Sequence, residues 1–379
     1  GAALEDGSTG DTVDSFTKEF EPRPTTDGKE VLRGAVEEPN WEQMAQDAFT
    51  DSTNFLDSSV RTSWERADRT FQNRHPSGSK YFSKAYTHRS RLFRPKTRSM
   101  ARQFEAQAAQ AYFGSGEVAD ISAVDDNDPA QQASAALMHE LLDYRLTTKN
   151  KKVAIPWFQT LMAAVQDTTK YGMVCSKQWW RYEERTYDVE QKDEMGNVIV
   201  DDDGNPFTEE RIKIKVDRPE VEVYPPENIR IDRGANWIDP INDSPFVIIQ
   251  HPMYMDQIEA RMKDQDPKTG QPRWKNVSRS ELLAVGQREV WDSTRTHREA
   301  NRDDSKESEI AIAEYGIVWV HENFMRWNDV DYVFYTAGSE ILLSDPVPTT
   351  QVYRHCGEGE RPLVMGYSVF EAHKIYPDS

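Results

Sequence analysis

From Trp41 to Trp64, apolar and aromatic positions recur at helical spacing: Trp41, Met44, Ala48, Phe55, Leu56, Val60 and Trp64. That spacing predicts one or two helices with an inward stripe. A second helical pattern, rich in Ala and Gln, covers 99–113 and stops at Gly114. The run Asp125-Asp126-Asn127-Asp128-Pro129 predicts a helix start. Asp128 suits the N-cap because its carboxylate accepts from free first-turn amides, and Pro129 suits the first helical position, where no N–H is needed. The helix that follows places Leu137, Met138, Leu141, Leu142 and Leu146 on one face. Pro156 opens another, carrying Trp157, Leu161, Val165 and Thr168 towards Gly172, a natural C-terminal stop.

After Gly172 the period shortens to that of a strand. Met173 to Tyr187 reads as a strand that includes Trp179-Trp180-Arg181-Tyr182. Residues 188–211 hold turn signals at 195–197 and 203–206 around the short run Val198-Ile199-Val200. Ile212, Ile214 and Val216 alternate with Lys213 and Lys215, as in a half-buried strand. A second alternation covers Val221, Val223, Ile229 and Ile231, and Val247-Ile248-Ile249 reads as a buried strand. Pro225-Pro226 between them predicts extended chain that ends one strand and sets the angle of the next, with Asn228 bonding locally to backbone. Met255 to Met262 is a short helix, and Ser278 with Glu281 forms a capping box that opens another. A charged loop spans 293–308, and 310–343 reads as an antiparallel meander carrying Trp319, Trp327, Tyr332, Phe334 and Tyr335. Helices, strands, helices, strands is the order of an α+β fold, not of a doubly wound sheet.

Three regions follow. Residues 1–39 are an acidic arm without periodicity, expected to be flexible or ordered only by a partner. Residues 40–172 are mainly helical, and 173–379 are mixed and β-rich. Hydrophobic residues make up 37% of the chain and charged residues 29%, which implies much solvated loop or subunit surface. Ten Trp, 15 Tyr and 15 Phe are too many for a disordered chain. No apolar run approaches the roughly 18 residues of a membrane span, and no basic stretch leads into an apolar one at the N-terminus, so neither a membrane partner nor a secretory signal is expected. Two cysteines, Cys175 and Cys356, exclude a disulfide scaffold and a cysteine zinc site and fit a reducing compartment.

The net charge of -19 opposes a protein that grips DNA over a broad surface, because phosphate neutralisation needs cations. It leaves room for a local patch, or for an acidic wall along which DNA slides. Residues 80–102 are the basic exception: Lys80, Lys84, Arg89, Arg91, Arg94, Lys96, Arg98 and Arg102, interleaved with Tyr81, Phe82, Tyr86 and Phe93. One reading is an extended segment whose cations pair with carboxylates of this chain or its neighbours. The other is a strip facing phosphates, which Arg, Lys and aromatics suit. Arg89, Arg91, Arg94, Lys96 and Arg98 are the candidate contact residues in either case.

No catalytic signal accompanies these structural ones. The chain has no glycine-rich phosphate loop, no His-Glu-x-x-His helix and no nucleophile turn. His139-Glu140 and His321-Glu322 lack the second His and read as surface or packing pairs. Asp201-Asp202-Asp203-Gly204-Asn205 misses the calcium-loop pattern at Pro206 and Ile212 and reads as a hairpin turn. His355, Cys356 and His373 match no standard metal spacing. No catalytic residue, metal or cofactor is therefore expected. The pattern favours a scaffold or ring subunit over an enzyme. The rival is an aromatic-rich, acidic carbohydrate-active enzyme, which would need exposed Trp beside paired carboxylates.

Three segments carry a resemblance. The first is Leu141-Leu142-Asp143-Tyr144-Arg145-Leu146 with Trp157-Phe158, Tyr171-Gly172-Met173-Val174-Cys175 and Lys177-Gln178-Trp179-Trp180-Arg181-Tyr182. The second runs from Val223-Tyr224-Pro225-Pro226-Glu227-Asn228 through Ile229-Arg230-Ile231-Asp232 to Trp237 and Ser244-Pro245-Phe246. The third is Arg361-Pro362-Leu363-Val364-Met365-Gly366-Tyr367-Ser368-Val369 with His373-Lys374-Ile375-Tyr376. In this order, with the basic Arg91–Arg98 before them, they resemble the portal (head-to-tail connector) proteins of tailed double-stranded-DNA bacteriophages, over roughly 41–379. The resemblance implies a homo-oligomeric ring of about a dozen subunits at one capsid vertex, around a channel through which double-stranded DNA enters and leaves. It implies contact with the major capsid protein, docking of the terminase large subunit during packaging, and later of tail adaptor or neck proteins. It implies a virion location after assembly in the host cytoplasm. The matched region is the wing. A stem and clip would continue past the third segment, beyond Pro377-Asp378-Ser379. Another virion head or neck protein is the alternative within the same class.

Overall fold

The computed structural model describes residues 39–75, 78–90, 92, 94, 96–115, 119–125, 127–150, 153–191, 206–265, 272–288 and 316–377. All of the 1–39 arm but Pro39 lies outside the described residues. So do Arg91, the turn signals at 195–197 and 203–205, the Asp201–Asn205 run and the 293–308 loop.

The Trp41–Trp64 pattern becomes two helices broken at Val60: α1 (Trp41–Ser59) and α2 (Arg61–Phe71). They turn Ala45, Leu56 and Trp64 inward. A third helix, α3, covers Lys96–Phe113, and α4 covers Pro129–Thr147. Asp128 caps α4 as the residue types dictate, accepting from the Ala130 N–H at 2.9 Å. α5 (Trp157–Tyr171) ends on Gly172, whose φ of +79° places it in the left-handed region that glycine adopts without strain. The next residue begins a strand.

That strand, β1 (Met173–Glu190), pairs antiparallel with β2 (Thr208–Tyr224) from Cys175 opposite Tyr224 to Glu190 opposite Thr208. The two alternations read at 212–216 and 221–223 are thus one strand. A bulge at Glu183/Glu184 bends the ribbon. Among the described residues, only its base has a third neighbour, β9 (Leu363–Tyr367), opposite Met173–Lys177. On one ribbon face Arg181 reaches Glu183 at 2.7 Å and Glu220 at 3.1 Å. The other face leaves Trp180, Tyr182, Ile212 and Ile214 exposed.

The second sheet follows the order β3 (Ile229–Ile231), β4 (Phe246–Tyr254), β5 (Ile317–Trp327), β6 (Val330–Ala337), β7 (Ile341–Leu342), with β8 (Val347–Pro348) on β6. Every pair is antiparallel, as an α+β fold requires. Both faces are covered. Val247, Ile249, Phe324 and Val333 join Leu56, Trp64, Tyr171 and Tyr376 in the largest core. On the opposite face the start of α1 packs Trp41 and Ala45 over Ile248, Met325 and Phe334. α6 (Met255–Lys263) and α7 (Arg279–Arg288) close the end of the sheet through Ile258, Leu282, Val318 and Val320. The Ser278 hydroxyl accepts from the Glu281 N–H at 3.4 Å. A last short helix, α8, spans Thr349–Val352.

Two local expectations need correction. Residues 80–87 are not extended: they form two 3-10 turns, Lys80–Phe82 and Lys84–Tyr86. The hydroxyls of Ser83 and Thr87 close them by donating to the carbonyls of Lys80 (2.7 Å) and Lys84 (2.8 Å), the local competition that Ser and Thr offer to extended backbone. Likewise Pro226 opens a 3-10 turn, Pro226–Asn228, with the Asn228 N–H donating to the Pro225 carbonyl at 2.9 Å.

Candidate functional site

Two features collect charge and aromatic rings. The first is the basic strip. Arg89 lies exposed, its guanidinium 5.2 Å from the Tyr86 ring centre. Lys80 lies 5.7 Å and 5.9 Å from the rings of Tyr81 and Tyr86, which pack 5.6 Å apart. Arg94 is exposed just before α3, and Lys96 and Arg98 stand exposed in the first turn of α3. Arg98 sits 5.6 Å from the Phe71 ring, a ring it shares with Arg102 and Lys170. Arg102 pairs with Glu105. Arg89, Arg94, Lys96 and Arg98 have no ion-pair partner among the described residues. Among the described residues Lys80, Arg89 and Arg98 are therefore arranged on rings rather than in ion pairs, which keeps them available to an anionic partner. Arg91 lies outside the described residues.

The second feature is a cleft of about 1030 Å³ where the two sheets meet, lined among others by Trp179, Trp180, Tyr224, Arg354 and His355. At its floor Glu322, in the middle of β5, is fully buried. The Lys177 ammonium, reaching over from β1, donates to both its oxygens at 2.5 and 2.7 Å. His251 Nε2 lies 3.0 Å away, Tyr335 donates at 3.1 Å, and Tyr353 donates as well. Burial alone would raise the Glu322 carboxyl. The Lys177 charge and the His251 bond outweigh burial and hold it well below the usual carboxylate range. At neutral pH this is an ionised group with four donors upon it.

Its chemistry is that of a lock. Glycoside hydrolysis needs a carboxyl kept protonated by a raised pKa; Glu322 moves the other way, and its oxygens are already occupied. Lys177 on one sheet and Glu322 on the other instead staple the ribbon to the six-stranded sheet. A similar lock stands near the β5–β6 turn, where Asp331 receives Arg361 at 2.7 Å and Arg326 at 3.0 Å.

The His321-Glu322 pair is thus a packing pair, and both residues are buried. Its importance was visible as a charged residue set in an apolar face at period two: Val318, Val320, Glu322, Phe324. The other polar candidates do not converge. His355 stands in the cleft wall, Cys356 is half-buried, and His373 packs 5.1 Å from Trp237. Burial pushes the Cys175 thiol up to about 12. Among the described residues no three metal-ligating side chains gather, and no helix is long and apolar enough to cross a membrane.

The profile of the family described as phage SU10 portal protein matches residues 42–376. The chain belongs to that portal family. No curated protein matches it. The portal match begins one residue into α1 and runs through the last core residue, Tyr376, so it covers both sheets, both locks and the basic strip. The portal is a bacteriophage head-to-tail connector and a virion component. Its family is structural rather than catalytic.

Proposed function

We propose that this portal chain forms a ring of about a dozen copies at a single capsid vertex, through which double-stranded DNA is packaged and later ejected. The observation that carries this is the family match across the whole described fold. Residues 40–172 and 173–379 are the helical and β-rich parts of the wing, seated against the major capsid protein. The ring presents a docking platform to the terminase large subunit and afterwards to tail adaptors, and it assembles in the host cytoplasm. The protein itself performs no catalysis and takes no cofactor; the motor ATPase supplies the work. The locks support this reading, since a subunit that bears packaging load gains from charge pairs joining its sheets. Arg89, Arg91, Arg94, Lys96 and Arg98 are the proposed contact residues for an anionic partner.

The test is electron-microscope class averaging of the full-length protein from its native particle. A ring of roughly twelvefold symmetry with a channel wide enough for duplex DNA is expected. Monomers or small dimers from intact chains would overturn the proposal.

A further inference from the structure

α4 is nineteen residues long and none of them is buried. A lone helix of that length is marginal in water, and a helix with apolar side chains on most of its circumference is normally covered. Its outer row, Leu137, Leu141 and Tyr144, is exposed by 66, 44 and 53%. Met138 and Leu141 lead to Arg145, whose guanidinium lies 5.3 Å from the Trp180 ring. Trp180 and Tyr182 are themselves more than half exposed, so the bare surface continues onto the ribbon. Glu140 and Asp143 border it, exposed and without an ion-pair partner among the described residues.

α3 offers the converse. Ala101 and Glu105 face inward. Lys96, Met100 and Phe104, spaced four apart, look the other way. Met100 is 70% and Phe104 49% exposed. Arg94 and Lys96 supply positive charge at the start of this row, with no ion-pair partner among the described residues, whereas Arg98 turns to the Phe71 ring.

One chain therefore carries two unlike surfaces, each an apolar helical row, bordered by opposite charges. A head-to-tail contact repeated around a closed ring requires that combination. DNA would satisfy the cations but leave Met100 and Phe104 bare, and it would repel α4. We propose that the outer face of α4 packs against the basic face of α3 from a second copy of the chain. The inference rests on the ring reading above and names the surfaces that close it.

The full-length protein tests it by ring yield in negative stain and sedimentation velocity. Glu140→Lys with Asp143→Lys, and separately Arg94→Glu with Lys96→Glu, should each lower the ring fraction at least tenfold. All four changes together should restore it. None touches a buried side chain, so circular-dichroism melting of the monomer should be unchanged. In a Cys356→Ser background, Leu141→Cys with Phe104→Cys should oxidise to a ladder of covalent multimers. Wild-type rings with indifferent charge variants and no ladder would overturn the interface and leave the ring reading standing. A wild-type protein that forms no ring would overturn both. Rings that persist in Arg94→Glu with Lys96→Glu but release packaged DNA would assign the basic face to DNA, and the interface would fall.

Discussion

β5 and α4 sit at opposite extremes of one chain. Eight consecutive residues of β5, Val318 to Met325, are buried, and the two charged or titratable ones among them, His321 and Glu322, have partners at hand. α4 buries none of its nineteen residues, and its acidic borders have no partner among the described residues. On β5 the enclosed Glu322 is met by the Lys177 ammonium. On α4 the exposed apolar row lies beside Glu140 and Asp143, which have no ion-pair partner among the described residues. The first arrangement stabilises a subunit; the second is what an assembling subunit keeps for its neighbours.

The largest effect expected is at the lock. Glu322→Ala strands the Lys177 ammonium in a dry site and should lower stability by about 3–5 kcal/mol in urea denaturation of the chain. A loss under ~1 kcal/mol would mean that water reaches the floor of the cleft. The lock also sets an acid limit. The folded carboxyl lies below its unfolded value, so its stabilisation is complete above the unfolded pKa of about 4.3 and fades as pH falls from there towards the folded value. The unfolding midpoint of Glu322→Gln, measured from neutral to acid pH, should be flatter across that window than the wild type's.

A pair of identical substitutions sharpens the contrast. Leu56→Ala, in the main core, should cost about 2–5 kcal/mol. Leu141→Ala, on α4, should change chain stability by under ~0.5 kcal/mol. Equal costs would mean that α4 is packed by its own chain. Smaller still in global terms is Asp128→Ala. It removes a cap worth about 1 kcal/mol, which should appear as faster hydrogen exchange in the first turns of α4, with the global midpoint unmoved.

What could be read in the sequence follows range. The Asp128-Pro129 start and the Gly172 stop are chemistry of adjacent residues, and both elements stand where those residues place them. The antiparallel meander was legible because its period is local too. The Lys177–Glu322 lock joins residues 145 positions apart, and no spacing rule reaches that far. The apolar row of α4 was visible, but whether a row is covered depends on elements elsewhere in the chain. The basic strip was legible as charge. Its 3-10 turns were not, because short backbone turns closed by the Ser83 and Thr87 hydroxyls have no apolar period to announce them.

The main core is sealed from both ends of the described chain. Trp64, on the second helix, meets Tyr376 at 6.0 Å, and Phe55 meets the same ring at 6.1 Å. A ribosome releases the early helices long before it reaches that tyrosine, so in a nascent chain the core indole of Trp64 lacks this cover until the third segment is made. Products that end before Tyr376 leave that edge of the indole uncovered, within reach of chaperones and proteases. Synthesis through the third segment is in this way registered in the fold of each subunit, before any copy meets another.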